Sequence, residues 1–198
     1  MRQSKVPAFA GAILAVATAT TPTTRAATPL ASTERTRSTG PPFHSESDGV
    51  RLRGRWFEGP VRLAVHGAAR RLAEPSCAAV LGDFHDPAGR DLRQRLAELD
   101  VDPASYARMV LFYDGSSDAP CRRPRVYAFT APGSRVVRTC PTLGALVASA
   151  PEQAEAIVIH EMLHTLGLEE NPPASADITT AVERRCRATV ATRARSAR

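Results

Sequence analysis

Beyond Lys5 the chain contains no lysine, although 26 of its 198 residues are Lys or Arg and its formal net charge is +6. Its positive charge is therefore arginine charge, and the arginines fall in scattered pairs. Aromatic residues make up only 5% of the chain, too few for a platform on which bases could stack. No basic helix stripe accompanies them, so the composition argues for no nucleic acid among the partners. Cysteine pairs of the CxxC kind are missing as well, which argues against a structural zinc site built from thiolates. Past the first residues no segment is apolar enough to span a bilayer. No internal repeat is evident, and the length suits one domain with a real core.

What is present begins with a basic start followed by an apolar stretch. Arg2 and Lys5 precede a run of small and apolar residues from Val6 to Ala19, the pattern of a secretion signal, with cleavage after Ala19 or after Ala26. No stable membrane insertion is expected once it is removed. Cys77, Cys121, Cys140 and Cys186 all lie beyond it, an even number suited to disulfides in an oxidising compartment. Four cysteines allow three connectivities; the expected one joins Cys77 to Cys121 and Cys140 to Cys186. The chain divides into a signal at 1–26, a flexible linker or leader at 27–55, a folded domain at 56–190 and a basic tail at 191–198. The leader is rich in Thr, Ser and Pro and carries His44; it is read as a plain linker, with a short propeptide as the functional alternative.

Hydrophobic spacing predicts helices over 60–72 and 90–99, with 78–84 a short strand or a helix end. Strands are expected at 109–113, 125–130 and 135–139, the last two joined by a tight turn at Pro132, Gly133 and Ser134. A final helix is expected after Pro173, with Ser175 as its N-cap and Cys186 as its covalent anchor. The order of helices and strands makes the class α+β. His66 and His85 are read as ordinary partly buried or surface histidines.

The residues that carry chemistry are His160-Glu161-Met162-Leu163-His164. Histidines four apart on a helix present their rings to one ion from consecutive turns. Glu161 lies about 100° around that helix from His160, placed to take a proton from a water without displacing it. Ala156, Ile159, Met162, Leu163 and Leu166 make a broad apolar face, the mark of a buried helix. Gly167 allows a left-handed turn that ends the helix, Glu170 follows three residues later, and Pro172 and Pro173 keep the helix from resuming.

The run His160-x-x-x-His164-x-x-Gly167-x-x-Glu170 resembles the short-spacer zincins, metzincins among them. Those zinc peptidases draw a third ligand from the position after the glycine, usually His or Asp, and carry a methionine in a later turn. Here that position is Glu170, and no methionine follows Met162. The resemblance implies a zincin-like fold, a small sheet on a central HExxH helix with a C-terminal helix. It also implies one Zn2+ on His160, His164 and Glu170, with Glu161 as general base. Glu169 and Asp177 are rival third ligands. No tyrosine or histidine follows Glu170, so an oxyanion-stabilising side chain would come from Tyr113, Tyr127 or an arginine. The expected function is that of a secreted zinc metallopeptidase with a peptide or protein substrate. The alternatives are a zincin-like binding module of weak activity and a disulfide-stapled interaction protein without metal.

Overall fold

A computed structural model describes residues 49–52 and 55–196, with side chains described for 49–52 and 57–187. The segment expected to be a signal, most of that expected to be a linker or leader, and His44 lie outside these residues. The first described element is a two-residue strand, β1 (Val50–Arg51), inside the stretch expected to be linker. Val50 is buried in the core, which is reason enough for the chain to be ordered there.

Helix α1 (Arg55–Leu72) starts five residues before the expected Pro60, which is accommodated one turn in at the loss of a single backbone bond. Val61, Ala64, Val65, Ala68, Ala69 and Leu72 recur at alternating steps of three and one, and all are buried. That is the stripe a helix needs to lie on a core. A short helix, α2 (Pro75–Ala78), runs into a 3-10 turn at Ala79–Gly82, so the segment at 78–84 is a helix end and not a strand. Helix α3 (Leu92–Glu98) begins at Asp91, whose carboxylate accepts from the Gln94 backbone N–H at 2.8 Å. Helix α4 (Pro103–Met109) begins in the same way at Asp102, which accepts from Ser105.

The chain then enters β2 (Leu111–Asp114), passes a second 3-10 turn (Ala119–Arg122), and forms β3 (Ala128–Thr130) and β4 (Val136–Thr139). Both later strands are shorter than expected, and Met109 closes α4 where it was expected to open a strand. The sheet order is β1-β2-β4-β3, parallel across the first two pairs and antiparallel between β4 and β3. Phe112 on β2 is paired with Val137 on β4, and both are fully buried. The turn between β3 and β4 places Pro132 and then Gly133, φ +76°, at its centre, with Ser134 N–H donating to the Ala131 carbonyl at 2.9 Å. This is the pattern of a type II turn.

Three helices complete the fold: α5 (Pro141–Ser149), α6 (Pro151–Thr165) and α7 (Ser175–Ser196). Each residue from Val158 to Leu166 is buried, so the apolar face expected of α6 has widened to the whole circumference of its second half. Around it lie α1, α5, α7 and the edge strand β3. Arg71 on α1 ties the set together, pairing with Glu155 on α6 and donating to the Cys186 carbonyl on α7 at 3.2 Å. Ser175 is the first residue of α7 and not its cap. The helix continues to Ser196, through most of the segment expected to be a tail.

The disulfides differ from the expected pairing. Cys77 on α2 is bonded to Cys186 on α7, and Cys121 to Cys140. The reason for the first lies in tertiary packing, since α2 lies against α7; the second joins the 3-10 turn that carries Cys121 to the residue just after β4. Among the described residues no cysteine is free.

Candidate metal centre

Helix α6 has Pro151 at its start, where the missing N–H is no loss, and then a run of residues that favour helix. It ends in a Schellman motif. Gly167, at φ +110°, sends its N–H to the His164 carbonyl at 2.9 Å, and Leu168 sends its N–H to Leu163 at 3.2 Å. Only glycine takes that backbone conformation without strain. The left-handed exit expected at Gly167 is thus present. The Leu168 carbonyl, turned back by the motif, accepts from His164 Nδ1 at 2.7 Å.

This contact sets the chemistry of His164. A carbonyl can only accept, so the ring carries its proton on Nδ1 and presents a bare lone pair at Nε2. His160 is braced from another side by the Thr179 hydroxyl of α7, 3.0 Å from its Nδ1. Burial first, and the neighbouring His164 second, lower the His160 pKa to about 4, against the opposing pull of Glu170. The His160 ring is therefore neutral near neutral pH, the form in which an imidazole acts as a ligand.

The two Nε2 atoms lie 3.0 Å apart. Glu170 Oε1 lies 3.6 Å from the first and 3.3 Å from the second. Donors about 2.0–2.1 Å from a tetrahedral zinc are roughly 3.3 Å from one another, and the three separations bracket that value. Among the described residues, His160, His164 and Glu170 are the group able to hold a metal ion. Glu169 and Asp177 are exposed and stand outside it. So do His66 and His85.

Glu161 is buried beside this group, with its Oε2 lacking a hydrogen-bond partner among the described residues. Desolvation first, and the charge of Glu170 second, raise its pKa to about 8. A buried carboxylate without a partner is costly unless positive charge lies near. The lone pair of His164 Nε2 faces the Glu170 carboxylate oxygen 3.3 Å away and has the same need. A cation among the three donors answers both, so the residues fit a metal ion.

The group opens into a cleft of about 1030 Å³. Its walls include β3, the segment before β3 with Tyr127, and the start of α7. Of the residues considered for oxyanion stabilisation, Tyr127, Arg123 and Arg125 line this cleft. Tyr113 does not; it is on β2 with the Arg138 guanidinium 5.7 Å over its ring. Sequence reasoning did not single out Thr179. Nothing in its local pattern separates it from Thr180 beside it, and only the packing of α7 on α6 brings it to His160. No family model, curated protein or solved structure matches this chain.

Proposed function

We propose that the protein is a zincin-like, zinc-dependent peptidase, secreted through its N-terminal signal and acting on peptide or protein substrates. The convergence of His160 Nε2, His164 Nε2 and Glu170 Oε1 beside the unpartnered Glu161 carboxylate carries this reading. The two disulfides suit the oxidising compartment it requires, and no helix among the described residues is long and apolar enough to cross a membrane.

His160, His164 and Glu170 would hold the ion. Bound zinc supplies Lewis acidity, which makes water a nucleophile near neutral pH and polarises a carbonyl. Glu161 receives the proton of the attacking water on its carboxylate and returns it to the departing amine nitrogen, alternating as base and acid. Its burial keeps competing solvent away from that proton. The edge strand β3 leaves one side of its backbone unpaired in the sheet and lines the cleft, offering an extended peptide a strand to lie along. Tyr127, which lines the cleft on that side, offers a phenol able to meet developing negative charge.

The test is Glu161→Gln, which keeps shape and leaves the three donors intact. Bound zinc is expected to stay near one per chain by metal analysis after dialysis, while casein or peptide hydrolysis falls roughly 10²- to 10⁴-fold. Hydrolysis unchanged in this variant, or no zinc retained by the wild type, would overturn the proposal.

A further inference from the structure

The cleft has a charged wall to which hydrolysis itself assigns no substrate. Arg123 and Arg125 line the cleft that holds His160 and Glu161, both exposed to solvent. Neither pairs with a carboxylate among the described residues, whereas Arg71, Arg90, Arg95, Arg185 and Arg187 all do. Arg125 also has a left-handed backbone, φ +64°, which is uncommon for a residue with a side chain and costs energy glycine would not.

The segment is held from both ends. Cys121 is bonded to Cys140, the Thr142 hydroxyl donates to the Val126 carbonyl at 2.8 Å, and Cys140 N–H donates to the Tyr127 carbonyl at 2.9 Å. A backbone fixed in this way leaves only the two side chains to be ordered when a ligand arrives. The cleft is thus polarised. Its cations stand just before β3, and Glu169 and Glu170 stand beyond the end of α6. Guanidinium is the donor best matched to a carboxylate, which it can bind through two parallel hydrogen bonds.

We propose that Arg123 and Arg125 form an anion subsite that selects peptides bearing a carboxylate at that end of the cleft, from an acidic side chain or from the chain terminus. The proposal rests on the peptidase reading of the cleft. Its test therefore reads binding and not turnover. Three fluorescein-labelled peptides of one sequence are titrated against zinc-loaded Glu161→Gln protein by polarisation: a capped peptide containing Glu, the same peptide with Gln, and the Gln peptide with a free C-terminal carboxylate.

Either carboxylate peptide is expected to bind several-fold tighter than the capped Gln peptide, with a preference that shrinks as salt is raised. Which of the two gains more identifies the carboxylate source. Arg123→Gln and Arg125→Gln should each cut the preference by about two- to five-fold, the range of a partly exposed ion pair, and the double variant should abolish it. Arg125→Gly, which removes the charge and relaxes the backbone, should act as Arg125→Gln does even if the latter folds poorly. Equal binding of all three peptides, binding of none, or a preference that survives in the double variant overturns the subsite. A preserved carboxylate preference in a wild-type protein that hydrolyses nothing overturns the peptidase reading and leaves the subsite standing.

Discussion

On the proposed reading, Glu161 and Glu170 stand near the same two histidines yet face opposite demands, one to carry a proton and the other to share electrons with a cation. Their substitutions should fail differently from that of Thr179, which lines the cleft outside the three donors and braces His160 at 3.0 Å. Glu170→Gln removes an anionic donor, so zinc affinity should fall steeply and activity should recover in part when zinc is in excess. Thr179→Val leaves all three donors and loosens one ring, and its zinc affinity should fall about 10- to 100-fold. Competition with a chromophoric chelator ranks the two, and a Thr179→Val protein as tight as wild type would show that the hydroxyl has no positioning role. At this scale much of the candidate site was legible, because the spacing of His160, His164, Gly167 and Glu170 is local and a helix turns spacing into geometry. Thr179 was not legible, because its partner is 19 residues away on another helix and no local pattern encodes that meeting.

Helix ends carry the site more than helix bodies do. The Schellman exit of α6 both orients His164 through the Leu168 carbonyl and starts the turn that brings back Glu170. Gly167→Ala should therefore cost about 1–3 kcal/mol of stability, the usual range for a side chain forced into that backbone region. The space is not the obstacle, since an added Cβ would meet only the Asp86 Cβ at 3.4 Å. Urea unfolding of the variant measures the cost, and zinc titration should show weakened binding along with it. The elements missed from sequence share a cause. Helices α4 and α5 are short, each opened by a proline after an extended residue, and their apolar residues fit a strand or a loop as well as a helix. Strand β1 has only two residues, too few to show any period, and exists because β2 pairs with it.

The whole molecule is closed by links between segments distant in sequence. The disulfide Cys77–Cys186 spans 109 residues and Cys121–Cys140 spans 19. Loop-closure entropy assigns roughly 4.7 kcal/mol to a loop near the first length and roughly 3 kcal/mol to one near the second. Replacing Cys77 and Cys186 by Ala should accordingly lower the urea midpoint more than replacing Cys121 and Cys140, and the reverse order would contradict this account. Four cysteines in sequence show that bridges are expected but not which, since the choice depends on α2 lying against α7. A second set of links titrates. Arg185 holds Asp83 through two hydrogen bonds of 2.6 and 2.8 Å and keeps its pKa below the ordinary value. Asp86 is pushed upward by burial but more than compensated by hydrogen bonds from Arg90 and from the Ala88 and Arg90 backbone, so its pKa too is lowered. Depressed carboxylates stabilise the fold above the unfolded value near 3.9 and lose that contribution as pH falls through their folded values. Stability should drop from about pH 4 downward, and Asp83→Asn with Asp86→Asn should start lower at neutral pH and fall less on acidification, as read by urea midpoints at pH 7 and pH 3. The His164 carbonyl accepts from Gly167 and also, at 2.8 Å, from Gly133 in the turn between β3 and β4. One oxygen thus bolts the sheet edge to the end of the helix bearing the donors. On the peptidase reading, the reach from a peptide laid on β3 to those donors is set when the chain folds, so alignment entropy is met before any substrate arrives and the cleft acts as a jig of fixed span.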